Sequence, residues 1–182
     1  SDDRQRGLAM VELATIYFSR KNYNDAIQNC QKAINIFEDL NTQEGLGNAF
    51  NILGIIYREQ KEFNKAGTQF NQALIYYESI GDLKQIATVY HNVATVFYAQ
   101  KKYENALNYL NRSLEISKVY GPSLQIYNTY RVMSDVYKDL GYTNKALEYM
   151  TIYTNYMDSS ATEQATGKIA ELNELYRAEQ RD

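Results

Sequence analysis

The sequence predicts an all-α fold, a right-handed superhelix (α-solenoid) of antiparallel helix pairs. Three observations support this prediction. Side chains of one chemical type recur every forty residues, apolar residues within each interval follow helical spacing, and glycine or asparagine stands where a helix should end. Four helix-pair repeats of forty residues are expected within residues 1–160, followed by a capping helix over 161–182. The repeats should cover about 2–41, 42–81, 82–121 and 122–161.

The forty-residue period is clearest at positions that keep a small or an aromatic side chain. One small position is occupied by Ala26, Ala66, Ala106 and Ala146. One aromatic position is occupied by Tyr17, Tyr57, Phe97 and Tyr137. A fixed period of this length is typical of solenoids, in which each unit buries its apolar face against the next unit.

Each repeat should contain two helices. The first helix of the second repeat is marked by Phe50, Leu53, Gly54 and Tyr57. Its second helix is marked by Ala66, Phe70, Ala73, Leu74 and Tyr77. Asn41, Gly81 and Gly121 can adopt the left-handed conformation that ends a helix. Pro122 can begin a helix because the first helical position needs no N–H donor.

The series Phe50, Leu53, Gly54, Tyr57, Ala66, Phe70 and Ala73 resembles the tetratricopeptide repeat (TPR) pattern. The resemblance extends over the four repeats, with a period of forty residues in place of the usual ~34. The fourth repeat departs from it, because Thr143 and Tyr153 stand where aromatic and small residues are expected. The resemblance implies a scaffold that binds peptides or proteins in a concave groove lined by the first helices.

Small residues should allow the two helices of a pair to approach closely. Gly54 is expected opposite Ala66, and Ala94 opposite Ala106. Tyr57 and Phe70 should fill the gaps beside them. Most of the tyrosines should pack in the core and between repeats, because those at repeat positions fall on the buried stripe.

Composition excludes several classes of function. Nineteen basic and 22 acidic residues give a net charge of -3, so no nucleic-acid partner is expected. Cys30 and His91 are the only residues of their types, which leaves neither a disulfide nor a metal site. Cys30 replaces Phe70 and Leu110 in the repeat and is expected in the core. No catalytic motif is present, so the chain is predicted to be a non-enzyme without cofactor or metal.

The candidate partner-binding residues are the polar first-helix residues outside the buried stripe, which should line the concave groove. They are Asn48, Asn51, Arg58, His91, Asn92, Thr95, Tyr98, Asn128, Arg131, Asp135 and Lys138. Amides can donate to and accept from a peptide backbone, and the basic residues can receive carboxylates. Alternatively, Arg131, Asp135 and Lys138 pair among themselves on a solvated face, being three and four residues apart. His91 is either a ligand contact or an ordinary exposed histidine.

The C-terminal stretch, residues 161–182, should form a single helix outside the period. Ile169, Leu172 and Tyr176 follow one another at steps of three and four residues. They can pack on the last helix pair, as a capping helix does, or begin a coiled-coil seam. The two interpretations are compatible, since the front of the helix can pack while its end leads onward.

A second resemblance is narrower. The last thirty residues resemble the stretch that closes the TPR array of bacterial membrane-bound sensors, where a coiled coil, a membrane helix and a histidine kinase or helix-turn-helix regulator follow. The matching residues are Tyr153, Asp158, Ser159, Ile169, Ala170, Glu171, Leu172, Tyr176 and Glu179. This resemblance implies a periplasmic or otherwise extracytoplasmic sensing module whose ligand changes the pose of the last helix.

The sequence therefore favours a non-catalytic TPR scaffold that binds a peptide or protein segment, as the ligand-sensing part of a bacterial signalling protein. The alternative is a cytoplasmic adaptor or assembly scaffold. No apolar run reaches the ~20 residues that span a bilayer, so a membrane is expected only through a downstream segment. The chain begins with Ser1 rather than Met, which suggests a fragment of a longer protein. The sequence leaves the oligomeric state open.

Overall fold

The structure, a computed structural model, describes residues 2–119, 124–156 and 162–179. Within these ranges every regular element is an α-helix, which confirms the predicted all-α class of helix pairs. The helices are α1 (Asp2–Ser19), α2 (Tyr23–Asp39), α3 (Gln43–Glu59), α4 (Phe63–Ile80), α5 (Leu83–Ala99), α6 (Tyr103–Lys118), α7 (Leu124–Asp139), α8 (Thr143–Tyr156) and α9 (Thr162–Glu179). Gly121, Pro122, Asp158 and Ser159, which the sequence analysis singles out, lie outside the described residues.

The chain divides into two compact units, Ser1–Val96 and Phe97–Asp182, and the division falls within the sequence of α5. In the first unit α1 packs on α2, α3 packs on α4, and α2 packs on α3. In the second unit α6 packs on α7, α7 on α8, and α8 on α9. Within α1–α4 and within α6–α9, each helix therefore packs against the next one in the chain, as antiparallel helix pairs require.

Aromatic rings set the helix spacing in the first unit. Phe70 was expected beside Gly54, and a Cβ at residue 54 would lie 2.5 Å from Cε1 of the Phe70 ring. The Phe37 ring touches two helices, since a Cβ at Gly7 or at Gly45 would lie 2.6 Å from its atoms. A Cβ at these positions would force the ring or the helix to shift, so glycine allows the helices to approach these rings closely. The Gly54–Ala66 and Ala94–Ala106 appositions stay predictions.

The core of the first unit also holds the single cysteine. Cys30 is fully buried and packs in one cluster with Ala26, Ala33 and Leu53. Burial raises the pKa of its thiol to about 12. The thiol is therefore protonated at physiological pH and fills space like a small apolar side chain.

The turn after each first helix uses a left-handed residue. Lys21, Lys61 and Lys101 have φ of 59°, 61° and 59°, and Gly141 occupies the equivalent place with φ 79°. The N–H of the left-handed residue and the N–H of the next residue both donate back into the helix, as Lys61 N to Arg58 O at 2.9 Å and Glu62 N to Tyr57 O at 2.8 Å illustrate. Asn41, expected to end a helix, also has a positive φ, of 49°. These turns reverse the chain within three residues and so build the helix pairs.

Substituting Gly141 with alanine should lower the free energy of unfolding by about 1 kcal/mol, because a left-handed conformation is unfavourable for any side chain with a Cβ. A Cβ there would meet nothing within 4 Å, so the cost is purely conformational. Gly67→Ala is the matched control, since that Cβ is equally unobstructed but the residue is helical. It should stabilise the chain by about 0.5–1 kcal/mol. Urea unfolding measures both values, and equal signs would contradict the prediction.

Tyrosine stacks and the last helix complete the second unit. The rings of Tyr137 and Tyr149 stack at 5.5 Å between centroids, and Tyr130 stacks on Tyr149 at 5.8 Å. Leu172 of α9 is fully buried in a cluster with Met150. This packing is what a capping helix requires, and the coiled-coil interpretation of α9 stays a prediction.

Candidate functional site

Two hydrogen bonds connect α3 to α5 in the first unit and bring together four of the candidate residues. Asn92 Nδ2 donates to Asn51 Oδ1 at 2.9 Å, and Arg58 Nη1 donates to Thr95 Oγ1 at 2.9 Å. The partners are 41 and 37 residues apart, close to one repeat. First helices of successive repeats thus lie side by side here, and their polar side chains meet.

The Asn51–Asn92 amide pair keeps unused hydrogen-bonding groups. The bond between them uses one N–H of Asn92 and the carbonyl oxygen of Asn51. In the part of the chain that the structure describes, Nδ2 of Asn51 and Oδ1 of Asn92 have no other partner. Asn51 is half-buried and Asn92 is buried, 8% exposed. The pair therefore offers one donor group and one acceptor in a partly desolvated place.

Arg58 already has a carboxylate partner. Its Nη2 and Nε atoms donate to Glu59 Oε1 at 2.8 and 3.1 Å, and the Arg58 side chain is only 22% exposed. Together with the bond to Thr95, these contacts fix the guanidinium against α3 and α5. An incoming carboxylate would have to compete with Glu59 for this cation.

Asn48 has a structural contact that the sequence pattern did not predict. Its Oδ1 accepts a hydrogen bond from the hydroxyl of Tyr77 at 2.7 Å. Tyr77 is fully buried, and burial raises the pKa of its hydroxyl well above the usual range. Asn48 therefore connects α3 to the core of its own helix pair. His91, another candidate residue, is half-buried on α5 directly before Asn92.

The candidate residues of the second unit also have partners within the chain. Arg131 Nη1 lies 3.5 Å from Asp135 Oδ2, which is the internal pairing that the sequence left open. The second oxygen of Asp135 pairs with Lys168 of α9. Lys138 Nζ donates to Glu171 Oε1 of α9 at 2.5 Å.

The two contacts to α9 were not apparent in the sequence, because they join residues 33 apart, whereas the repeat period is forty. Opposite charges on the two helices were the only signal. The hydrogen bond from Lys138 lowers the pKa of the Glu171 carboxyl, so the contact is ionic at neutral pH. Asp135 and Lys138 thus help to hold the last helix.

Tyr98 and Asn128 complete the candidate set. Tyr98 hydrogen-bonds to Asp139. The pKa of the Tyr98 hydroxyl is raised above the usual range, mainly by burial and secondly by this hydrogen bond. Asn128 is half-buried on α7. Tyr98 therefore connects α5 to α7 in the second unit, as Asn51 and Asn92 connect α3 to α5 in the first.

Neither a metal-binding cluster nor a membrane-crossing helix occurs among the described residues. Over residues 2–119, 124–156 and 162–179, no group of three or more His, Cys, Asp or Glu side chains is placed to hold a metal ion. Among the helices of these same ranges, none combines the length and apolar character needed to cross a bilayer.

Comparison with solved structures identifies the same fold in three other proteins. BtubC (BKLC) from P. vanneervenii superimposes with a TM-score of 0.71 at 18% identity, over 94% of this chain and 77% of that one. Aspartyl phosphate phosphatase F from Bacillus subtilis superimposes with a TM-score of 0.85 at 16% identity, over 97% of this chain and 46% of that one. The third protein is a signal transduction ATPase with numerous domains (STAND) from Pyrococcus horikoshii, which carries a tetratricopeptide repeat sensor. It superimposes with a TM-score of 0.76 at 19% identity, over 94% of this chain and 26% of that one. At these identities the likeness concerns the fold alone.

Sequence comparison gives the family. A search of curated proteins yields no match. The family model for the tetratricopeptide repeat matches residues 5–79 and 85–151, which is well over half of the chain. The chain therefore belongs to the tetratricopeptide repeat family, whose repeats serve as scaffolds for protein–protein interaction.

Proposed function

We propose that this TPR array binds an extended peptide or protein segment through its first helices, as the ligand-sensing part of a bacterial signal-transduction protein. In the first unit the segment contacts α3 and α5 at the Asn51–Asn92 amide pair. The unused donor and acceptor of that pair are the observation that carries the proposal. A peptide backbone presents both N–H and C=O groups, so the pair matches both of its requirements.

Side chains around the amide pair define what the segment should look like. Arg58 is neutralised by Glu59, so this part of the site favours a segment without a carboxylate at that point. Thr95 bonds to Arg58 and to the carbonyl of Asn92, which leaves no strong charge beside the pair. Recognition then depends on backbone hydrogen bonds and on shape.

Selection from a random peptide library tests this proposal. Linear peptides displayed on phage are selected against the immobilised chain, and the best peptide is labelled for fluorescence anisotropy. We expect Asn51→Ala combined with Asn92→Ala to weaken its affinity by about tenfold or more, since each hydrogen bond contributes about 0.5–1.5 kcal/mol. The melting temperature should fall only slightly, because removing both partners of the Asn51–Asn92 bond leaves neither of them unpaired.

Asn24→Ala combined with Asn71→Ala is the matched control. Both asparagines are exposed on second helices of the same unit, so the change in composition is identical and the site is untouched. This variant should bind the peptide as the parent does. Failure to select any linear peptide, or equal affinity of both double variants, would show that the amide pair is not a peptide site.

The signalling part of the proposal rests on the resemblance of the C-terminal stretch to bacterial membrane-bound sensors and includes an extracytoplasmic location. The similarity to a STAND protein with a TPR sensor supports a sensing role for this fold. Amide hydrogen exchange of α9 with and without the selected peptide tests the relay. A ligand-dependent change in α9 protection is expected, and identical protection would instead favour the adaptor or assembly scaffold.

A further inference from the structure

The outer face of α1 exposes apolar residues that the other first helices bury. Leu13 is 37% exposed and Ile16 is 46% exposed. The equivalent residues of α3, Leu53 and Ile56, are 4% and 0% exposed, because α2 packs on α3. The equivalent residues of α5 and α7 are buried as well, with exposed fractions of 9% for Val93, 5% for Val96, 1% for Met133 and 0% for Val136. The α1 face thus retains the apolar chemistry of an interface.

The exposed residues form a regular seam. We define the α1 seam as Asp2, Arg6, Ala9, Leu13, Ile16 and Arg20, all exposed and separated alternately by four and three residues. Arg20 follows α1 directly, and its N–H still bonds to Ile16 O at 3.2 Å, so it continues the helical path. Alternating steps of three and four are the spacing with which one helix packs along another.

The charges on the seam select the orientation of its partner. Asp2 stands at the amino end and Arg20 at the carboxyl end, and neither has an ion-pair partner in the described residues. Arg6 is neutralised by Asp3 at 2.8 Å. A parallel copy would align Asp2 with Asp2 and Arg20 with Arg20, whereas an antiparallel copy aligns each Asp2 with an Arg20. Antiparallel packing also aligns the two helix dipoles favourably.

The spacing of the seam supports the same orientation. Its six positions are symmetric about residue 11, so an antiparallel copy places Ala9 against Leu13, a small residue against a large one. We propose that the α1 seam is a docking surface for the same seam of a second copy of this chain, packed antiparallel about a two-fold axis. Such an isologous contact closes on itself and gives a dimer. This inference is independent of the peptide site on α3 and α5.

Sedimentation equilibrium of the chain from low to high micromolar concentration tests this dimer. The average mass should rise from the monomer value of 21.1 kDa towards twice that mass. Leu13→Glu should weaken the dimer by at least about tenfold, since it buries a carboxylate in the centre of the seam. Ile75→Glu is the matched control, because Ile75 is 55% exposed on α4 and lies outside the seam.

A charge exchange tests the orientation. Asp2→Lys should weaken the dimer by about three- to tenfold, because two symmetry-related pairs are lost. Adding Arg20→Glu to the same chain should restore the dimer only in the antiparallel arrangement. A dimer insensitive to Leu13→Glu, or one that the exchange does not restore, overturns the proposal. A monomer at every concentration also overturns it and means that another protein or segment covers α1.

Discussion

Replacing Ala106 with arginine should unfold the second compact unit. Ala106 is fully buried in α6, at a position where every repeat has alanine. A guanidinium there would lose its hydration without gaining a built partner, and its side chain would not fit beside the neighbouring helices. We expect a loss of at least about 4 kcal/mol in the free energy of unfolding. Typical domains have about 5–15 kcal/mol, so most of the stability would be lost.

Far-ultraviolet circular dichroism follows this loss through the helicity and the melting temperature of the chain. Asn105→Arg is the matched control, because residue 105 is the exposed neighbour on the same helix. It should change stability by less than about 0.5 kcal/mol. If Ala106→Arg kept the parent helicity and melting temperature, the packing of helix pairs described for this chain would be wrong.

The helices and their pairing could be predicted because they depend on local chemistry that repeats. Apolar residues at helical spacing mark each helix, and Asn41 has the left-handed backbone that its position predicts. Lys21 and Lys61 show the limit of that reasoning. They adopt the same conformation without being glycine or asparagine, because the hydrogen bonds of the turn impose it.

Long-range contacts of individual side chains could not be predicted in the same way. The sequence predicts Phe70 beside Gly54, but only the structure shows how closely the ring approaches, since a Cβ at residue 54 would lie 2.5 Å from its Cε1. The sequence predicts Lys138 as a cation on the first-helix face, whereas its partner Glu171 lies in a helix outside the forty-residue period. Periodicity specifies which positions are equivalent, whereas partner choice depends on rotamers and on neighbouring helices.

In the candidate site, too, the sequence predicts residue types and positions but not the contacts between side chains. Asn51 and Asn92 are amides on neighbouring first helices, and their residue types could be read from the sequence. That they bond to each other, and so leave one donor and one acceptor, depends on the distance between α3 and α5. The pairing of Arg58 with Glu59 changes the expected role of that cation for a similar reason.

Phe37→Ala should lower the free energy of unfolding of the first unit by about 3–5 kcal/mol, because the ring is fully buried and its loss leaves a cavity. The Phe37 ring also explains why residues 7 and 45, which lie against it, are glycines. In the parent chain Gly45→Ala should destabilise by about 1–3 kcal/mol, since its Cβ would lie 2.6 Å from the ring. Gly7→Ala should act in the same direction for the same reason.

The sign of the Gly45 substitution should reverse once the ring is gone. In the Phe37→Ala background, Gly45→Ala should stabilise by about 0.5–1 kcal/mol, because alanine favours the helix and fills part of the cavity. A double-mutant cycle by urea unfolding measures this coupling. Gly67→Ala meets nothing within 4 Å and serves as the control, since its effect should add to that of Phe37→Ala. If Gly45→Ala were equally destabilising in both backgrounds, the Phe37 ring would not be what requires glycine on α3.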